Sequence, residues 1–142
     1  MITNTILPYS LVALSIKQPW AELILLGRKT IEVRSWSTEF RGLLALHTGK
    51  KPVPEALARF PGIDASYQGG FVGVAELVDV ERFTQVSWSR LRTAHLVPGP
   101  MPGEAFGWHF RNAHRLRRSI SANGSLGLFP VPADVRQSME LS

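Results

Sequence analysis

Within ten residues, GRKTIEVRSW at 27–36 places a lysine, a glutamate, an arginine and a tryptophan where they could act together. Read as an extended segment over 30–34, alternation puts Thr30, Glu32, Arg34 and Trp36 on one face and Ile31, Val33 and Ser35 on the other. A carboxylate two residues from a guanidinium is either a solvated surface pair of little energetic weight or part of a polar cleft. A second acid favours the cleft. In FVGVAELVDV, Glu76 shares parity with Val72, Val74, Val78 and Val80, so a strand there sets one carboxylate among four valines. Desolvation raises the pKa of such a group unless a cation holds it ionised, and Lys29 and Arg34 are the candidate partners. The plain alternative is a buried pair that only sets strand register.

Lys17, Gln18 and Trp20 precede and open the segment QPWAELILLG, where unpaired N–H groups and the positive end of a helix dipole would favour an anion. Trp20 also suits the core, as aromatics at helical spacing do. Trp36 and Trp108 stand beside charged residues at strand ends, an arrangement suited to stacking on a base. His47, His109 and His114 are candidate general bases or metal ligands, but their spacing matches no familiar metal motif and the chain has no cysteine. Arg111, Arg115, Arg117 and Arg118 form a dense basic run, either a solvated loop or an edge that contacts phosphates.

These residues need a scaffold. LVALSI at 11–16 reads as a strand, and QPWAELILLG as a compact helix with Pro19 at its first turn and Gly27 as its stop. Strands are expected over 30–34 and 43–47, followed by a Pro- and Gly-rich excursion at 48–70 with one short helix near 55–60. FVGVAELVDV is the longest strand signal. SWSRLRTAH suits a short helix, GWHFRNAHRL and SLGLFPV further strands, and 131–142 a polar tail. Many short strands with few small helices argue for an α+β fold built on a mostly antiparallel curled sheet or small barrel.

The 142 residues fit one domain, and an apolar fraction of 44% with 19% charged residues is that of a globular protein. Sixteen Lys and Arg against eleven Asp and Glu give a formal charge of +5, which favours polyanionic partners. The absence of cysteine excludes disulfides, thiolate metal sites and cysteine nucleophiles. The apolar run near the N-terminus is broken by Pro8 and has no preceding Lys or Arg, so it reads as an arm and first strand rather than a signal peptide. No stretch approaches the roughly 18 apolar residues of a membrane span, and a cytoplasmic protein without membrane contact is expected. No Walker loop, dinucleotide fingerprint or nucleophile elbow is present.

Taken in order, LSIKQPWAELILLGRKTIEVRSW, RGLLALHTGK, GGFVGVAELVDV, GWHFRNAHRL and GSLGLF resemble the ASCH domain of the PUA-like superfamily over about residues 11–130. The resemblance implies a small, mostly antiparallel β-barrel with flanking short helices. It also implies a cleft that binds nucleic acid, with RNA or single-stranded DNA the expected partner; no metal or cofactor is expected, since the histidine spacing fits no metal motif. Carried over by position, the candidate cleft residues would be Lys17, Gln18, Trp20, Lys29, Glu32, Arg34, Trp36, Glu76, Trp108 and His109; with the two glutamates set aside and Arg111 of the basic run added, they are the expected nucleic-acid-binding residues.

Some relatives are hydrolases, either ribonucleases or enzymes that deacetylate N4-acetylcytidine with a Lys, Thr and Glu set, and this implies Lys29, Glu32 and Glu76 as a catalytic group. Glu32 then stands at the threonine position, where a carboxylate attacking an acyl carbon would yield an anhydride. Thr30 is offset by two residues, about 7 Å of strand. A protein-interaction module is the third reading.

Overall fold

The computed structural model describes residue 7 and residues 10–142; most of the expected N-terminal arm lies outside them. Six strands, β1 (Val12–Ser15), β2 (Ile31–Arg34), β3 (Gly42–Thr48), β4 (Gly70–Arg82), β5 (Phe106–Ser121) and β6 (Leu128–Pro130), form one sheet in the order β2-β5-β4-β3-β1-β6. Among the described residues only β1 and β3 pair in parallel; the other neighbours are antiparallel. Five short helices flank it: α1 (Trp20–Leu25), α2 (Pro54–Arg59), α3 (Gln85–Arg90), α4 (Arg92–His95) and α5 (Ala133–Ser138). The α+β class is as expected. The closed barrel is not: β2 and β6 end the sheet and do not pair with each other.

The sheet nevertheless curls. In a flat sheet β2 and β1, four strand spacings apart, would stand roughly 19 Å from each other. Instead Arg34 on β2 donates from Nη2 to the Ser15 carbonyl on β1 at 2.6 Å. Inside the curl, Leu14, Ile16, Leu44, Leu46, Val72, Leu77, Trp108 and Phe110 pack with Ala21 and Ile24 of α1. The curled sheet therefore has a seam, bridged by a side chain where a closed barrel would have a backbone ladder.

A second cluster covers the outer face, where Phe71, Val74 and Leu116 meet Phe129, Val131, Met139 and Leu141. Residues 131–142, expected as a polar tail, thus carry α5 and bury Val131, Met139 and Leu141, and Leu141 bridges to Leu116. The apolar residues Met139 and Leu141 alternate with exposed Glu140, a pattern too short to register as a strand. A third cluster seats α3 and α4 on β2 through Ile31, Phe83, Trp88 and Ala105. Thr84 and Ser87 cap α3 reciprocally, satisfying its first amides.

Bulges decide which residues share a face. The β4 ladder shifts register between Phe71 and Gly73 and twice more before Asp79. Val72 therefore packs inside the curl while Val74 packs with Phe71 on the outer cluster. An unbulged strand would have kept both valines on one side.

Candidate functional site

A cleft of about 990 Å³ opens along the seam. One wall comes from the end of β1 and the start of α1, with Ser15, Lys17 and Trp20; the opposite wall is β2, with Glu32 and Arg34. Lys50 and Lys51, just after β3, and the loop 122–127 complete the rim. Lys17, Lys50 and Lys51 are exposed. Gly69, in the left-handed region at φ +82°, lies beneath Lys50: a Cβ added there would come within 3.3 Å of Lys50 Cε, so the bare backbone accommodates the lysine stem.

The floor is an ionic chain. Lys29 is 1% exposed; its Nζ donates to the His95 carbonyl, stands 3.7 Å from Glu32 Oε1 and lies 4.5 Å from the centre of the Trp20 ring. Burial pulls its pKa down from 10.5 to about 8, against the opposing pull of Glu32. Glu32 Oε2 meets Arg34 Nη2 at 3.1 Å. His95, which presents the carbonyl to Lys29, stacks on Trp88 with ring centres 4.1 Å apart and donates from Nε2 to the Trp88 carbonyl at 2.9 Å. Its Nδ1 accepts from Val97 N–H, so the ring is the neutral tautomer, and desolvation lowers its pKa.

Glu32 and Arg34 both line the cleft, with Lys29 and Trp20 close by, but so does Val33, which alternation placed on the opposite face. The remaining candidates divide differently. Glu76 is not desolvated beside Lys29: it is half-exposed and forms a bidentate pair with Arg111, Nε to Oε1 at 2.9 Å and Nη2 to Oε2 at 3.2 Å. Those hydrogen bonds lower its pKa instead of raising it. The group Lys29, Glu32 and Glu76 does not converge, because the bulged β4 carries Glu76 away from the seam.

Trp108 is wholly buried inside the curl, donating from Nε1 to the Trp36 carbonyl at 3.1 Å; the two rings meet edge to face at 4.8 Å. Its face is therefore closed to a base. His109 pairs with Glu81 at 2.6 Å. Gln18 is buried, accepting from Glu22 N–H at 3.0 Å and donating to the Tyr67 carbonyl at 3.2 Å, which leaves it outside the cleft wall.

Nor does the start of α1 offer free amides. The N–H groups of Trp20 and Ala21 go to the Lys17 carbonyl, that of Leu23 to Pro19, and that of Glu22 to Gln18. The basic run is strand, not loop, and much of its charge is spent: Arg111 on Glu76, Arg115 on Glu22 through two bonds of 2.8 and 2.7 Å, and Arg117 near Glu140 at 3.7 Å. Among the described residues no cluster of three or more His, Asp or Glu could hold a metal.

Sequence reading missed one constellation. Ser15 and His47 occupy paired positions of the parallel β1 and β3 ladder, and Ser15 Oγ lies 2.9 Å from His47 Nδ1 within the cleft. His47 Nε2 reaches the Ala122 carbonyl at 2.8 Å. Both residues sit in alternating apolar runs, LVALSI and LLALHT, and only the ladder register shows that they meet.

The ASCH domain family model matches residues 14–117 of the chain. The chain belongs to the ASCH domain family. Of curated relatives, activating signal cointegrator 1 from Mus musculus and from Homo sapiens are each 43% identical over 56 residues, 39% of this chain and only 9% of the relative. The chain therefore spans a small part of those proteins. Among solved structures, ASCH from Zymomonas mobilis superposes with a TM-score of 0.66 at 15% identity, covering 92% of this chain and 93% of that one. A serine-to-alanine mutant of that protein gives 0.64 at 16% identity, covering 89% and 91%. At that identity the likeness establishes the shared fold. No described helix of this ASCH protein is long and apolar enough to cross a membrane.

Proposed function

We propose that this ASCH protein binds single-stranded RNA along the seam cleft. The observation that carries the reading is the placing of three exposed lysines, Lys17, Lys50 and Lys51, on the rim of a cleft whose inner wall presents Arg34 and Glu32. Phosphates would lie against the lysines, and a base would enter beside Trp20, whose ring is half-buried and already backed by the Lys29 ammonium. Glu32 can accept from an exocyclic amino group, as carboxylates do with cytosine. A volume of about 990 Å³ exceeds what one water-filled crevice needs and suits a nucleotide with its neighbours. The formal charge of +5 draws a polyanion toward the rim, and domains of this family are generally associated with RNA binding.

Fluorescence anisotropy of a labelled single-stranded oligoribonucleotide, titrated with protein across a salt series, tests the reading. Affinity should fall steeply as salt rises, because each phosphate neutralised on a single strand contributes about 0.7 to the logarithmic slope. The same sequence as DNA distinguishes recognition of the 2′-hydroxyl from backbone binding alone. Absence of binding at low salt would overturn the assignment.

A further inference from the structure

We propose that Ser15 and His47 form a nucleophile and general-base pair that makes the cleft an acyl-ester hydrolase. Three features of the geometry lead there. A carbonyl can only accept, so the 2.8 Å contact from His47 Nε2 to the Ala122 carbonyl places the ring proton on Nε2. In the neutral ring Nδ1 then carries the lone pair, and across the 2.9 Å contact the Ser15 hydroxyl donates to it. This is the arrangement of an activated serine: hydroxyl, base, and a third group that holds the base in the required tautomer.

The pair is also built to stay in register. His47 is 2% exposed and wedged edge-on between Phe71 and Phe129, at 5.2 and 5.8 Å between ring centres. The loop 122–127 closes over it so tightly that a Cβ at Gly124 would stand 2.6 Å from His47 Cε1. Ser15, by contrast, is half-buried and forms part of the cleft wall, where a substrate can reach it. Arg34 Nη2 donates to Ser15's own carbonyl at 2.6 Å and so holds the backbone that carries the hydroxyl.

The chemistry balances without metal or oxidant. Ser15 Oγ attacks the acyl carbon as its proton passes to Nδ1; the bond from carbon to the leaving oxygen then breaks, and the imidazolium returns the proton to the departing alcohol. Water, deprotonated by the same nitrogen, attacks the acyl-serine; the bond from carbon to Ser15 Oγ breaks, Nδ1 returns the proton to Oγ, and the acid leaves. The net reaction is ester plus water to acid plus alcohol. Resting on the cleft as an RNA site, the substrate class is an acyl ester carried on a ribose hydroxyl, with the lysine rim holding the adjoining phosphates.

Incubation with an alkyl fluorophosphonate and peptide mapping by mass spectrometry tests the pair. A covalent label on Ser15 is expected, absent in Ser15→Ala and slowed at least about a hundredfold in His47→Gln. A second variant, His47→Asn, is expected to be slowed alike, and circular dichroism of both variants beside the labelling separates a lost base from a lost fold. No label on Ser15, or undiminished labelling in a folded His47 variant, would overturn the pair. A 3′-O-acetylated oligoribonucleotide then tests the substrate class: acetate release lost in Ser15→Ala supports it, and intact ester in the presence of a labelled Ser15 refutes it. Unmodified RNA added at saturation should protect Ser15 from the label. Binding without protection would leave the pair standing and overturn the placement of RNA in this cleft.

Discussion

The Arg34 guanidinium, 2.6 Å from the Ser15 carbonyl through Nη2, joins an edge strand of the sheet to one four positions away. The same nitrogen lies 3.1 Å from Glu32, so one side chain both holds the curl and balances the carboxylate on the cleft wall. The cleft opens along the seam of a sheet that does not close, since its two edge strands, β2 and β6, form no backbone ladder with each other.

Arg34→Ala removes that bridge and leaves Glu32, 8% exposed at its side chain, with Lys29 at 3.7 Å. Losing one partner of a mostly buried pair should lower stability by about 2–4 kcal/mol. Urea denaturation followed by tryptophan fluorescence measures this; an unchanged midpoint would show that the seam is held by other contacts.

Lys29 supplies a pH dependence whose sign follows from its burial. Its pKa is lowered from 10.5 to about 8 in the folded protein, so between those values the unfolded chain holds a proton that the folded one has released. Stability attributable to Lys29 therefore rises as pH climbs through 8 towards 10.5, by about 3 kcal/mol at the limit. Lys29→Met should lack this rise, and the difference between the two denaturation profiles over that window checks it.

The rim lysines should act on affinity and not on folding. Lys17, Lys50 and Lys51 are exposed, so replacing all three with alanine should leave the melting transition in place. RNA affinity at low salt should fall about 10- to 100-fold, and the logarithmic salt slope should flatten by about 2, as three lost phosphate contacts require.

Two tryptophans separate site from scaffold. Trp108→Phe loses the hydrogen bond to the Trp36 carbonyl and packing inside the curl, and should cost about 1–3 kcal/mol of stability with RNA affinity kept. Trp20→Ala should weaken RNA binding by about 1–3 kcal/mol if a base stacks there. Anisotropy titrations beside denaturation curves distinguish the two, and an affinity loss confined to Trp108 would reverse the roles.

Much of the local architecture was legible. α1 and β2 fell where hydrophobic period and turn residues placed them, whereas 131–142, read as a polar tail, carries α5 and buries Val131, Met139 and Leu141. Glu76 was misplaced for a definite reason: period-two counting assumes an unbroken ladder, and β4 shifts register three times against β5. Trp108 looked like a stacking residue because its charged neighbours suggested a surface; the adjoining Gly107, with Phe83 and Ile31 packed against it, belongs to a covered strand. The arginines of β5 looked like a free basic edge, but acids up to 93 residues away in sequence neutralise two of them by bidentate pairing.

By itself the sequence determined the family, the α+β class and the basic charge, because each is carried by composition or by neighbours a few residues apart. The tertiary structure alone decided that the sheet stays open, that Glu76 belongs to Arg111, and that Ser15 meets His47 across 32 residues. Those outcomes depend on the register and bulges of strands distant in the chain. Pairing of that kind is set by the packing of the whole sheet, and no local pattern encodes it.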